Sequence, residues 1–439
     1  MINLKQALVL AGGGSKGAYQ AGCIKALIEL GYNFNIVTGT SVGALNALLV
    51  VQKDYEALYK LWDEIKISDV LKDPINLNFS IESMISQTNL IEPFFKSYIN
   101  EKGADITPLK KKIRSLYNDK KLFDSNIDYG IVTVKYPSLS PLQITKKDMK
   151  PNEPVEYAIA SASCFPAFPI HYINKQGYID GGYYDNLPIS LALKMKADKI
   201  IAIELSREIT HDHFNNRPYI KLIRPSYDLG GFLDFNRELL DWRIKLGYYD
   251  TLKAFNKLIG YRFIFYNCDI DINILNKFYW SVISFEAALN KNIINKTLFS
   301  SNLPLTDLLK ADTYLDNLNL KDYFIRGIEI TMEYFHFQSD LVYDFNKTYL
   351  EISNIFLKKY YSNYTRKNNL KNISIKEIFS SIKKLTSLEI ICTFYRSIKD
   401  KEKIEPKLIN NIFLNEYLIK VYPMSRTIKL KGIFLMLKI

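Results

Sequence analysis

Two glycine turns constrain this chain more than any other feature. Each follows a short apolar run and opens a helix-like stretch. Ala7 to Ala11 leads into Gly12-Gly13-Gly14-Ser15-Lys16-Gly17, and Phe34 to Val37 leads into Gly39-Thr40-Ser41-Val42-Gly43. A strand that feeds a helix through so tight a turn is a building block of a parallel α/β sheet. The first turn presents backbone N–H groups with no side chains in the way. The second places a serine on a strand-to-helix corner. Acyl transfer needs both parts.

The rest of the N-terminal half fits the same architecture. Strand candidates are Leu8 to Leu10, Phe34 to Thr38, Tyr129 to Lys135, Gly177 to Ile179 and Lys199 to Leu205. The last is a continuous apolar run suited to a strand buried on both faces. Helix candidates are Ala18 to Leu30, closed by Gly31, and Val42 to Val51, Tyr55 to Ile65, Pro108 to Tyr117 and Pro188 to Met195. Asn236 to Lys257 reads as one long helix. From Asp269 onward strand patterns fade, and Ser374 to Glu377 forms a capping box that opens a further helix. The expectation is an α/β domain over residues 1–257 and a mostly α-helical region over 258–439.

With 48% hydrophobic and 24% charged residues, the composition is that of a globular chain and not of a disordered one. A net charge of +12 draws a protein to anionic surfaces. The heavy joint use of Lys, Asn, Ile and Tyr accounts for that charge equally well. No arginine-rich arm or zinc-finger spacing supports nucleic acid as a partner. Cys23, Cys164, Cys268 and Cys392 are far apart and form no C-x-x-C, which reads as free thiols in a reducing compartment. The N-terminal apolar run is cut short by glycines, so it reads as a first strand and not a signal peptide. No apolar stretch reaches the ~18 residues of a membrane span. A cytoplasmic protein in peripheral contact with membrane is expected. Export by a route needing no N-terminal signal is compatible with the same residues.

Gly12-x-Gly14-x-x-Gly17 has the spacing of a dinucleotide fingerprint. That motif wants an acid at the end of the second strand, about 20 residues on, and Val37-Thr38-Gly39 offers none. A P-loop would end in Gly-Lys-Ser or Gly-Lys-Thr, and Gly17-Ala18-Tyr19 does not. An oxyanion hole remains, with Gly13 and Gly14 as the best donors. Lys16 braces the loop, meets anionic lipid, or is simply solvated.

Read alone, Ser41 is an N-cap on a strand–helix turn. The base for a nucleophilic serine is not an evident histidine. The chain has His171, His211, His213 and His336, and none has a triad setting. His211 and His213 could share one side of a strand, but no third metal ligand is evident. Asp180, in Ile179-Asp180-Gly181-Gly182, ends a short strand with glycines behind it, which permits close approach of another backbone. Its alternative reading is a turn aspartate before glycine.

Taken together, these segments resemble the patatin-like phospholipases. The resemblance rests on Gly12 to Gly17, then Gly39 to Gly43 followed by Ala44-Leu45-Asn46-Ala47, then Asp180-Gly181-Gly182. Ala160 to Pro169 is similar to the family's Ala-Ser…Pro…Phe-Pro segment, and Asp185-Asn186-Leu187-Pro188 to its continuation. Lys16 stands where many members have arginine, and Gly182 where many have alanine. Cys164 replaces a more usual small residue. The resemblance covers roughly the first 255 residues. It implies a three-layer fold with a mainly parallel central sheet flanked by helices. It implies a Ser41–Asp180 dyad, an oxyanion hole among Gly12, Gly13, Gly14, Ser15, Lys16 and Gly17, and support from Gly39, Gly43, Gly181 and Gly182. The implied substrate is a phospholipid or lysophospholipid, cleaved through an acyl-enzyme with no metal or cofactor. Two rivals stay open: a catalytically idle membrane- or protein-binding module, and a histidine-dependent α/β-hydrolase-type esterase. A dinucleotide-binding module is the weakest alternative.

Overall fold

The computed structural model describes residues 4–72, 104–207, 214, 217–292, 305–311, 313, 315 and 317–356. His211, His213, Cys392, the capping box at Ser374 and the stretch 358–384, where eight basic residues face the single acid Glu377 in sequence, lie outside the described residues. The chain divides into two compact units, Met1–Phe255 and Asn256–Ile439.

The first unit is built on an eight-stranded sheet. Its strands are β1 (Gln6–Leu10), β2 (Ile36–Thr40), β3 (Asp128–Tyr136), β4 (Pro141–Thr145), β5 (His171–Ile173), β6 (Gln176–Asp180), β7 (Lys199–Ile203) and β8 (Ile220–Ile223). They run in the order β5-β6-β3-β2-β1-β7-β8, with β4 also paired to β3. β3, β2, β1, β7 and β8 are mutually parallel, whereas β4, β5 and β6 join antiparallel at one side. The interior strands are buried along most of their length because helices cover both faces. Leu8, Leu10, Ile36 and Ile203 are fully buried.

The helices are α1 (Gly17–Glu29), α2 (Val42–Val51), α3 (Tyr55–Glu64), α4 (Thr107–Leu116), α5 (Asp119–Asp124), α6 (Glu153–Ser161), α7 (Ile189–Lys194) and α8 (Arg237–Ala254). Local chemistry sets several ends. Gly31 closes α1 with φ of +84°, and the Asn236 side chain caps α8 by accepting the Leu239 N–H. α1 and α8 touch backbone to backbone. A Cβ on Gly22 would lie 1.9 Å from the Ile244 carbonyl oxygen, and one on Gly247 would lie 2.0 Å from that of Tyr19. That contact brings the far end of the unit against the first glycine turn.

Three differences from expectation have physical causes. β2 begins at Ile36 and runs to Thr40, two residues later than expected, because pairing with β1 and β3 on both sides carries it to the serine. β5, β4 and β8 gave no strand signal, being three to five residues long and lying at or beside the sheet's edges. α6 begins with Pro154 in its first turn, and only its last two residues, Ala160 and Ser161, fall in a segment that the sequence singled out.

The second unit has α9 (Ile272–Asn292), α10 (Leu305–Lys310), α11 (Leu320–Tyr334) and α12 (Phe345–Phe356). It also has a small sheet of β9 (Leu258–Ile259), β10 (Ile264–Tyr266) and β11 (Val342–Tyr343), strands too short to show a period in sequence. Phe263, Phe265, Phe278 and Phe324 form its core. The buried Glu329 carboxylate accepts three backbone N–H bonds, from Tyr261, Arg262 and Phe263, and pairs with Arg326 at 2.6 Å. A buried charge with so many partners is satisfied and structural.

Candidate active site

The sheet register brings Ser41 and Asp180 together. Thr40, the last residue of β2, pairs with Val132 of β3, and Asp180, the last of β6, pairs with Thr133. Two strands flanking β3 on opposite sides therefore end at the same level. Ser41 follows immediately, at a corner with φ of +53° and ψ of −127°. A non-glycine residue in such a conformation is strained, and surrounding contacts must hold it. Gly39 and Gly43 make the corner possible. A Cβ on Gly39 would meet Gly43 backbone at 2.4 Å, and one on Gly43 would meet the Leu10 carbonyl oxygen at 2.2 Å.

Ser41 occupies the N-cap position of α2, yet its side chain caps nothing. The hydroxyl instead lies near the Asp180 carboxylate, whose charged form it favours. Asp180 is 6% exposed. Burial pushes its carboxyl up to about 6, against the opposing pull of the Gly182 N–H and the Ser41 hydroxyl. The Gly182 N–H lies 2.7 Å from Oδ1. Gly181 must lack a side chain, since a Cβ there would sit 2.1 Å from the Val132 carbonyl oxygen.

One short segment holds both members of the pair. Ser161 Oγ accepts the Ser41 N–H at 2.8 Å and donates to the Val132 carbonyl at 2.6 Å. Two residues on, the Ser163 carbonyl accepts the Asp180 N–H at 2.9 Å. Ser161 and Ser163 thus anchor nucleophile and carboxylate to one turn. The Ser41 amide is occupied and faces away from any oxyanion role.

The glycine loop lies beside the pair and sorts into two groups. The N–H of Gly12 donates to the Asn186 carbonyl at 3.0 Å, that of Ser15 to Phe232 at 2.7 Å, and that of Lys16 to Gly13 at 3.2 Å. The Gly17 N–H turns back to the Gly14 carbonyl. These four amides are unavailable as oxyanion donors. Gly13 and Gly14 N–H have no acceptor among the described residues, and both residues are only half-buried. The Lys16 side chain is half-buried on the first turn of this loop. Asn186 locks the loop to the segment that follows Asp180: its Nδ2 donates to the Gly12 carbonyl at 3.2 Å.

Ser41 and Gly14 open onto a cavity of about 760 Å³, part of it open to solvent. Its walls are apolar and come mainly from α2, α3 and α4, with Leu45, Leu49, Trp62 and Ile113 among them, and Phe168 from the loop before β5. A hydrocarbon chain gains about 0.8 kcal/mol per buried methylene in such a space.

α4, one wall of the cavity, is fastened to the sheet by ions. Arg114 forks onto Glu156 of α6 at 2.8 and 3.0 Å, and His171 of β5 bonds the same carboxylate at 2.8 Å. Glu156 is held down to about 2 by the His171 hydrogen bond, opposed by burial and reinforced by Arg114. A depressed carboxylate stabilises the fold above its unfolded value near 4.5, and that stability is lost as pH falls toward 2. The pair is partly exposed, so Glu156→Gln is expected to cost about 1 kcal/mol at pH 7. The difference should shrink in urea melts at pH 3.

The histidine-dependent alternative finds no partner in His171, whose ring is bonded to Glu156. His336 lies in the second unit. Cys164 stands 3.9 Å from the Tyr183 hydroxyl beside Asp180, and burial pushes its thiol up to about 12, which makes it unreactive.

Residues 8–193 match the family model described as Patatin-like phospholipase. This part of the chain is a patatin-like phospholipase domain. Patatin-like phospholipase domain-containing protein 7 of Rattus norvegicus is 30% identical over 214 residues, which is 46% of this chain and 14% of its own length. Patatin-like phospholipase domain-containing protein 6 of Homo sapiens is 28% identical over 208 residues, 46% of this chain and 13% of its own. Neuropathy target esterase sws of Drosophila melanogaster is 27% identical over 219 residues, 47% of this chain and 13% of its own. The chain thus matches about one-seventh of these curated relatives, over the patatin-like segment. VipD from Legionella pneumophila aligns with 99% of this chain and 90% of its own at 14% identity and a TM-score of 0.37, too low to add to the assignment.

The first unit holds three groups that the motifs did not announce as partners: Ser161 and Asn186 inside the patatin-like segment, and Arg243 beyond it. Ser161 and Asn186 lie inside quoted motif segments, so their positions were visible and their roles were not. Arg243 lay only in a helix pattern. Among the described residues, no helix is long and apolar enough to cross a membrane.

Proposed function

We propose that this chain is a serine lipid acyl hydrolase of the phospholipase A or lysophospholipase type. Ser41 Oγ attacks the acyl carbonyl of the ester while Asp180 takes its proton. Negative charge gathers on the carbonyl oxygen and is met by the Gly13 and Gly14 N–H groups. The tetrahedral adduct collapses, the alcohol part of the lipid leaves with the proton returned by Asp180, and the fatty acyl group stays on Ser41. Water then attacks the acyl-enzyme, with Asp180 again as base. The carrying observation is Ser41 set beside a buried carboxylate at the mouth of an apolar cavity, next to two amides without acceptors among the described residues. A carboxyl raised to about 6 is a better base than an ordinary one, which helps an aspartate do the work of imidazole.

The hydrolase is assigned to residues 1–257, and residues 258–439 to a second region. Lipid ester is the substrate class because the cavity is apolar and the relatives' names include phospholipase and esterase. A charge of +12 supports peripheral contact with an anionic membrane from the cytoplasmic side.

Incubation of wild type and Ser41→Ala with mixed bilayers, followed by lipid profiling, tests this reading. Wild type should release free fatty acid and Ser41→Ala should not. A fluorophosphonate should label Ser41 in the folded protein. Absence of labelling with intact fold supports the idle module. Loss of turnover in His211→Ala or His213→Ala, with Asp180→Ala active, supports the histidine esterase.

A further inference from the structure

A turn of glycines does not hold two amides in a fixed direction unaided, because glycine is the most freely rotating residue. Oxyanion donors work only if they are aimed before charge develops. The loop at Gly12–Gly17 therefore needs a brace from outside.

Arg243, on α8, is fully buried and uses all five of its N–H donors on this task. Nε donates to the Leu229 carbonyl at 2.7 Å, and Nη2 donates to the Leu229 and Gly231 carbonyls. Nη1 donates to the Asp234 carbonyl at 3.0 Å and to Ser15 Oγ at 2.9 Å. Ser15 closes the circuit. Its N–H reaches the Phe232 carbonyl at 2.7 Å, and its hydroxyl donates to Gly231 at 3.2 Å. Residues 229–234 thus form a cradle in which the carbonyls of Leu229, Gly231, Phe232 and Asp234 point at the guanidinium or at Ser15. Gly14 rests on it, since a Cβ there would lie 2.2 Å from the Phe232 carbonyl oxygen.

We infer that Arg243 is a positioning residue for the oxyanion loop, aiming the Gly13 and Gly14 amides by fixing Ser15 on the 229–234 cradle. The inference rests on the proposal that this loop is the oxyanion hole. A lysine cannot replace it, because a single ammonium lacks the planar fork that serves four acceptor groups at once.

Arg243→Lys, Ser15→Ala and the double variant are assayed on a soluble short-chain ester. For Arg243→Lys, kcat should fall about 100-fold, the scale of one lost oxyanion donor, with KM within about twofold. Ser15→Ala, losing one charge-assisted hydrogen bond, should fall about tenfold. The double variant should be no worse than Arg243→Lys, because both changes break one linkage. Rates of fluorophosphonate inactivation should fall by the same factors. A merely structural role would lower the melting temperature without separating kcat from KM. A folded Arg243→Lys with wild-type kcat overturns the inference. If that variant does not fold, Ser15→Ala decides, and wild-type kcat there overturns it. Hydrogen exchange over Gly12–Gly17 reads the brace without turnover. Exchange should quicken about tenfold in Ser15→Ala, in step with one lost hydrogen bond. If wild type neither hydrolyses esters nor labels at Ser41, the proposed function fails. Faster exchange then still supports the brace, and unchanged exchange removes it.

Discussion

Asp180→Asn is expected to lower kcat/KM for ester hydrolysis by about 10⁴-fold, and Ser41→Ala at least as much. Asparagine keeps the acceptor for the Gly182 N–H, so the loss reports the missing base and not a collapsed turn. Because Asp180 must be ionised to accept the proton, wild-type kcat/KM should fall tenfold per unit below about pH 6 and be flat above it. Stability should move the other way. A carboxyl raised in the folded state stabilises the fold fully below its unfolded value of 3.8, and that contribution is lost as pH rises through about 6. At pH 8 wild type therefore carries the cost of a buried, ionised carboxylate. Asp180→Asn should be more stable than wild type there by about 2 kcal/mol and no more stable at pH 4. Thermal melts at the two pH values, beside initial rates, check both halves. A dead variant with no gain at pH 8 would mean that Asp180 is not the buried, titrating base.

Much of this pair was legible because motif chemistry is local. Ser41 had to follow a strand and open a helix, and the two glycines around it were on the page in sequence. Asp180 had glycines behind it. What sequence could not supply was the register. Whether β6 ends level with β2 depends on β3 lying between them, and no pattern inside residues 176–180 encodes that neighbour. The glycine loop was legible as a class and not in detail. Which of its amides is open depends on Asn186 and Phe232, which lie 174 and 217 residues away from their partners Gly12 and Ser15. Arg243 was the least visible of all. On a helix, an arginine reads as a solvated residue, and only the tertiary contacts with Ser15 and residues 229–234 show this one to be buried. In the second unit, strands of two or three residues were invisible for a simpler reason: they contain no full period.

Gly14→Ala should be the most damaging change in the loop, and it separates oxyanion chemistry from binding. Gly14 has φ of +57°, which alanine adopts only at a cost, and a Cβ would meet the Phe232 carbonyl oxygen at 2.2 Å. That oxygen also receives the Ser15 N–H, so the cradle cannot retreat without breaking a second bond. The loop must move, and the Gly14 amide moves with it. Loss of one aimed donor corresponds to about 3 kcal/mol, and with Gly13 displaced as well kcat should fall about 10³-fold. KM should stay within about threefold, because ground-state binding comes from the apolar cavity and not from the loop. Steady-state kinetics on a short-chain ester, with circular dichroism to confirm folding, provide the measurement. Wild-type kcat in folded Gly14→Ala would place the oxyanion elsewhere, at the open Val42 and Gly43 end of α2, while leaving Ser41 and Asp180 in their roles. That outcome would also remove the reason for a buried arginine beneath the loop, so the fates of Gly14 and Arg243 are tied: a loop that need not be aimed needs no brace.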